Sequence, residues 1–168
     1  MSMNPLKSDV VIIGGGAAGM MAAVNAAMRG LDVIVLETQK SFGRKLRITG
    51  KGRCNVTNDC DVKAFMQNVP VNSKFLYSCL NKFSPADTIA FFESLGVPMK
   101  TERGGRVFPV SDRAHDVADA LVTYMKDCGV RTMSARATGI KTENGAVVSV
   151  STSRGEISCS SEIGRAHV

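Results

Sequence analysis

Asp9-Val10-Val11-Ile12-Ile13-Gly14-Gly15-Gly16-Ala17-Ala18-Gly19 runs from a β-branched segment straight into a glycine-rich turn. Val10 to Ile13 are apolar without alternation, as a parallel strand buried on both faces requires. Met20 to Arg29 is rich in Ala and Met and predicts a helix, with Gly30 as its C-terminal stop. Leu31-Asp32-Val33-Ile34-Val35-Leu36 predicts a second apolar strand ending in Glu37. Strand, glycine turn, helix, strand and acid make one complete βαβ unit.

Each glycine of that turn has a task if the turn holds a dinucleotide. Gly14 permits the tight strand-to-helix turn, Gly16 lets the backbone approach a pyrophosphate, and Gly19 lets the helix pack closely on the strand. Gly15, Ala17 and Ala18 complete the loop and helix start, where unpaired N–H groups and the positive dipole end favour an anion. Glu37, 18 residues past Gly19, is placed to accept from ribose hydroxyls, and its charge disfavours a 2′-phosphate. The pattern predicts FAD or NAD rather than NADP, and these residues alone do not separate the two.

The chain has 168 residues, 44% apolar and 21% charged, with 16 Gly and 5 Pro. That composition is globular, excludes disorder as a global description, and suits one domain with a real core. The longest apolar stretch, Val10 to Ala23, is interrupted by four glycines, so no membrane span is expected. Asn4, Lys7, Ser8 and Asp9 break any secretory apolar region, which makes the cytoplasm the expected location. Five cysteines, Cys54, Cys60, Cys79, Cys128 and Cys159, form no C-x-x-C pair. Neither a disulfide framework nor a metal site is indicated. Cys79 and Cys128 are expected on buried helix faces.

The net charge is +6, with 21 basic and 15 acidic residues. Its densest cluster is Arg44, Lys45, Arg47, Lys51 and Arg53. Beside a glycine-rich loop without aromatics, it reads as facing a phosphate-bearing cofactor, more than as a solvated face or a nucleic-acid patch. Residues 38–58 as a whole read as loop. Helices are expected at 61–68, 74–83, 85–95 and 112–128. The second would put Phe75, Leu76, Cys79, Leu80 and Phe83 on one face. The third has Ser84 as N-cap, Pro85 at the first position and Asp87 three past the cap. In the fourth, Val117, Leu121, Met125 and Cys128 point inward. Strands follow at 130–133, 135–142, 146–153 and 156–159, with a hairpin turn at Glu143-Asn144-Gly145, and form a small antiparallel meander.

Two further stretches carry a resemblance. Gly43-Arg44-Lys45-Leu46 with Thr49-Gly50-Lys51-Gly52-Arg53-Cys54-Asn55-Val56-Thr57-Asn58, then Gly105-Arg106-Val107-Phe108-Pro109 with Ser111, Ala114 and Val117, resemble the hallmarks of the BaiN/YhiN-type flavoproteins. That family is also called HI0933-like, and many members are named aminoacetone oxidase family FAD-binding enzyme. The resemblance spans residues 9 to about 160. It implies a Rossmann-like FAD-binding domain of the glutathione reductase type, α/β in class, with a small antiparallel meander. It implies that Gly14, Gly16 and Gly19 hold the diphosphate and Glu37 the ribose. Arg44, Lys45 and the loop from Thr49 through Gly50, Gly52, Arg53, Cys54 and Asn55 to Asn58 would lie along the FAD. Ala137, in the meander, would offer backbone contacts on the adenine side.

Other residues read more simply. Cys54 has no partner at redox-pair spacing and is expected to be a packing thiol. Lys51 is expected to face solvent. His115 is expected to be exposed at a helix start, and Phe91/Phe92 to be core. No residue is assignable as catalytic. The resemblance also implies a later strand re-entering the central sheet and a C-terminal segment completing the flavin site, neither of which is legible after Ile157-Ser158-Cys159-Ser160. Ile163-Gly164-Arg165-Ala166-His167-Val168 reads as translated sequencing adapter, ATC GGA AGA GCA CAC GTC. Residues 1–162 are therefore expected to be an incomplete FAD-binding domain and 163–168 a non-native tail. The expected parent is a flavin-dependent oxidoreductase acting on a small organic substrate, with NAD(P)H a candidate electron donor. The rivals are an NAD-dependent dehydrogenase and a basic nucleic-acid-binding module.

Overall fold

Val10–Ile13 pairs in parallel with Val33–Glu37, in register Val10 to Val33 and Ile13 to Leu36, and a helix over Ala17–Ala27 joins them. This is the βαβ unit expected from the sequence, in a computed structural model that describes residues 6–164. In chain order the strands and helices are β1 (Leu6–Lys7), β2 (Val10–Ile13), α1 (Ala17–Ala27), β3 (Val33–Glu37), α2 (Arg44–Ile48), β4 (Thr57–Asn58), α3 (Val62–Gln67), α4 (Tyr77–Lys82), α5 (Pro85–Ser94), β5 (Met99–Glu102), β6 (Arg106–Pro109), α6 (Ala114–Asp127), β7 (Arg131–Ser134), β8 (Ala137–Glu143), β9 (Ala146–Thr152), β10 (Gly155–Ser158) and β11 (Ser161–Ile163). They fall into two units, residues 1–44 with 121–168, and residues 45–120.

The first unit is built on a four-stranded parallel sheet in the order β11-β2-β3-β7. Alternate side chains leave opposite faces of a strand. Val11, Ile34 and Leu36 enter one core with Ala135, Val150, Ile157 and Cys159, so that face of the sheet is covered by the meander. Ile12, of opposite parity, faces α1, where Met20, Ala23 and Val24 are buried. Each large aliphatic side chain so covered contributes about 1.5–3 kcal/mol. The meander β8-β9-β10 is antiparallel, and β1 adds to β10 in parallel. Asn144 (φ 50°) and Gly145 (φ 78°) are both left-handed, which matches the right-handed twist of a two-residue hairpin.

Ser161–Ile163 pair with Val10–Ile12 as a further parallel strand. No strand is legible there from the residues alone. Ser-Glu-Ile is short and without an apolar run, and it becomes a strand because the edge of β2 offers unpaired N–H and C=O groups. His167 and the rest of 165–168 lie outside the described residues.

The second unit carries the antiparallel sheet β4-β6-β5. α5 has the predicted capping box: Ser84 Oγ accepts from Asp87 N at 3.1 Å, and Asp87 Oδ2 accepts from Ser84 N at 2.8 Å. Phe92 is buried, with the Phe91 ring edge-on at 5.1 Å. Two expectations fail here. Residues 38–58 are not all loop, since Arg44–Ile48 is helical and a 3-10 turn spans Thr49–Gly52 before β4. A one-turn helix of mostly basic residues has no apolar period to reveal it. The helix expected at 74–83 is a 3-10 turn over Ser73–Leu76 followed by α4. Three residues per turn do not stack like 3.6, so the predicted apolar face is split. Phe75 is 86% exposed and Cys79 is exposed rather than buried. Among the described residues no helix is long and apolar enough to cross a membrane.

Candidate functional site

The glycine turn sits between β2 and α1 in the first unit. Gly14 (φ 110°) donates to Leu36 O at 2.8 Å, which ties the turn to β3. A Cβ on Gly19 would collide with the Gly14 carbonyl oxygen and stand 3.4 Å from Ile12 Cγ2. α1 therefore packs on β2 at a distance only glycine allows. Gly15 is buried against the Phe42 ring, in space a Cβ would need. Its carbonyl accepts from Gly43 N at 2.8 Å, and its N–H donates to Glu37 Oε2 at 2.8 Å.

Gly16 differs from its neighbours. It is the N-cap of α1, with φ −80° and ψ 179°, a conformation open to any residue. Among the described residues, nothing beyond its chain neighbours and its own helix backbone lies within 4 Å of where its Cβ would stand. The fold thus has no steric need for glycine there. Gly16, Ala17 and Ala18 are all exposed, and no side chain caps the helix. The first N–H groups of an α-helix have no partner within it, so an anion can be received there. Glu37 stands at the end of β3, partly buried, with Oε1 accepting from Gln39 N at 2.8 Å and Thr38 Oγ1 at 3.4 Å. A carboxylate has about four lone-pair sites and three are taken, so acceptor capacity for one ribose hydroxyl is left. An open glycine cradle at a helix start beside a carboxylate at the next strand's end fits an adenine dinucleotide.

The expected basic and polar residues divide by unit. Arg44, in the first, is exposed with Nη1 3.5 Å from Gln39 Oε1. Ala137 packs against the meander core, and its neighbour Arg136 exchanges hydrogen bonds with Ser153. In the second unit Lys45 and Lys51 are exposed. Arg47 bonds Asp119 at 2.6 Å and His115 Nδ1 at 2.8 Å, with His115 exposed as expected.

The rest of the hallmark loop is engaged inside its own unit. Arg53 Nε donates to Asp112 at 2.8 Å, and Nη2 to both Glu102 and Asp112. Lys100 joins the cluster at 2.7 Å from Asp112. The cations hold the Glu102 and Asp112 carboxyls below their ordinary values through these hydrogen bonds, Arg53 leading for Glu102 and Lys100 for Asp112. Thr49 O accepts from Cys54 N at 3.0 Å, and Gly50 O from Arg53 N at 3.2 Å. Gly50 and Gly52 sit at φ 58° and 85°. Cys54 is fully buried, and burial pushes its thiol up to about 11. A thiol so protonated suits packing rather than redox work. With its amide turned end for end, which satisfies both ends, Asn55 donates to Thr57 O at 3.1 Å and Val107 O at 3.2 Å. Asn58 Nδ2 donates to Gly104 O at 2.8 Å. Sequence reasoning missed Phe42, Gly43 and the Gln39 amide as supports of the glycine turn. A lone aromatic amid the polar residues 38–45 was the available signal.

The model of the HI0933-like protein Rossmann domain matches residues 8–163. The chain belongs to the HI0933-like family. It is 41% identical over 113 residues to the 3-dehydro-bile acid delta(4,6)-reductase of Clostridium scindens, covering 66% of this chain and 27% of that protein. It is 34% identical over 117 residues to the ribosomal RNA dihydrouridine synthase of Escherichia coli, covering 69% and 28%. The chain thus spans somewhat over a quarter of the length of these curated relatives. Among solved structures it resembles the 3-ketosteroid-delta4-(5alpha)-dehydrogenase of Rhodococcus jostii, with TM-score 0.73 and 16% identity over 98% of this chain and 46% of that one. The α/β Rossmann-type fold of this HI0933-like chain is that of an FAD-binding domain, and its cofactor is FAD.

Proposed function

We propose that this chain supplies the ADP-binding half of the FAD site in a longer flavin-dependent oxidoreductase, one that adds hydride to, or removes it from, a carbon–carbon bond next to a carbonyl. The observation that carries the cofactor half is Gly16, an exposed N-cap glycine that the fold itself does not require. Gly14 to Gly19 would hold the diphosphate and Glu37 the ribose. Arg44 and Lys45, exposed and cationic, would add attraction for phosphate.

Bound FAD would supply two-electron hydride chemistry. The reaction class follows from what two relatives' names share. A 3-dehydro-bile acid with 4,6 unsaturation and a uracil ring both present a C=C conjugated to C=O. Reducing either places hydride on the β-carbon and a proton on the α-carbon. A small enone is the favoured substrate, because identity to the bile-acid enzyme is the higher of the two. NAD(P)H is the proposed electron donor and the cytoplasm the proposed location.

The test uses the longer protein. Cofactor released on denaturation should chromatograph as FAD. Photoreduced protein mixed without oxygen should be reoxidised by a 3-oxo-4-ene steroid and not by the saturated ketone. Reoxidation by a uridine-containing RNA instead would move the substrate to nucleic acid. Release of no flavin would end the reading.

A further inference from the structure

We propose that Glu37 is a positioning residue for the diphosphate cradle in addition to any contact with ribose: its carboxylate sets the Gly15 peptide before a nucleotide arrives. This rests on the dinucleotide reading above. Gly15 is held from three sides. Its N–H donates to Glu37 Oε2 at 2.8 Å, its carbonyl accepts from Gly43 N at 2.8 Å, and the Phe42 ring lies against its Cα. It is buried, whereas the next three residues are exposed.

The consequence lies in peptide planarity. In a trans peptide the N–H points opposite to the preceding carbonyl, and the described chain has no cis bonds. With the Gly15 carbonyl fixed toward Gly43, the Gly16 N–H is aimed the other way. With the Gly15 N–H fixed toward Glu37, the peptide before it cannot turn either. Glu37 is itself anchored, because Gln39 N–H and Thr38 Oγ1 hold its other oxygen. A hydrogen bond to an ionised acceptor is roughly twice as strong as a neutral one. Donors aimed in advance cost a ligand less ordering when it binds.

Two ligands separate the roles, ADP and 2′,3′-dideoxy-ADP, which lacks the ribose hydroxyls. Each is titrated into the 168-residue chain, wild type and Glu37→Ala, with amide exchange of Gly15 followed by NMR in the ligand-free protein. Glu37→Ala should speed Gly15 exchange at least tenfold and weaken dideoxy-ADP about tenfold, the scale of one hydrogen bond to a charged group, with a larger loss for ADP. Phe42→Ala, which removes no ribose acceptor, should weaken both ligands equally, and it serves if Glu37→Ala does not fold. Unchanged dideoxy-ADP binding in a folded Glu37→Ala that binds ADP more weakly would overturn the proposal and leave Glu37 serving ribose alone. Equal binding of dideoxy-ADP by wild type and Phe42→Ala would overturn it as well. A wild-type chain that binds neither nucleotide would end the dinucleotide reading and this proposal with it.

Discussion

Arg53 stands over the Phe108 ring, its guanidinium carbon 4.2 Å from the centroid. The contact is of cation–π type, and the same guanidinium bonds Glu102 and Asp112. The most recognisable string in the chain therefore contains an arginine that works inside its own unit, fastening the loop before β4 to β5, β6 and the turn at Asp112.

Acid should act through that cluster. Glu102 and Asp112 have their carboxyls held below the ordinary 4.5 and 3.8. A depressed carboxyl adds stability that is present above its unfolded value and is lost as pH falls through the folded one. Wild-type protein should lose stability from about pH 4.5 downward. Arg53→Met should be less stable at neutral pH and show a shallower loss below about pH 4.5. Urea midpoints measured from pH 7 to pH 2.5 check both. Parallel curves would show that Arg53 does not hold the two carboxyls down.

Gly16 and Gly19 should separate binding from folding. Gly19→Ala puts a methyl into the Gly14 carbonyl and should cost about 1–3 kcal/mol or more, as overpacking does. At Gly16 a Cβ has open space. Gly16→Val should cost no more than about 1 kcal/mol as a poorer N-cap while abolishing ADP and FAD binding. Denaturant melts and ligand titrations on both variants decide it. Full FAD occupancy in Gly16→Val would remove the loop from the phosphate site.

Ser84 should matter to α5 in isolation from any ligand. Ser84→Ala removes the acceptor for Asp87 N–H and should cost about 1 kcal/mol. The Asp87 carboxyl, held down mainly by the Ser84 hydroxyl, should rise in the variant. Both follow from a thermal melt and an NMR titration of Asp87.

The cysteines should react in order of access. Cys79 is exposed, whereas Cys54 is buried with its thiol pushed up to about 11. Iodoacetamide at pH 8 should label Cys79 first and reach Cys54 only on unfolding. Peptide mass mapping over time provides the check, and early labelling of Cys54 would show a loop that opens.

The βαβ unit, the capping box at Ser84, the turn at Asn144-Gly145 and the inward face of Val117, Leu121 and Met125 were legible from the residues alone. Each depends on local rules: apolar period, a cap three residues from its partner, a backbone angle that favours Gly or Asn. An adenine dinucleotide was legible for the same reason, because a strand, three spaced glycines and an acid are all local, whereas FAD rather than NAD rested on the resemblance of the longer stretches. Only the folded chain decided what depends on distant partners. Ser161–Ile163 has no strand pattern of its own and takes one from the open edge of Val10–Ile12. Arg53 reads as a cation awaiting phosphate until Glu102 and Asp112, 49 and 59 residues away, come to it. Gly15 reads as one more residue of the glycine loop until Glu37, Phe42 and Gly43 close on it. Such contacts exist only once chain entropy has been overcome by burial elsewhere, and no local pattern of side chains encodes them.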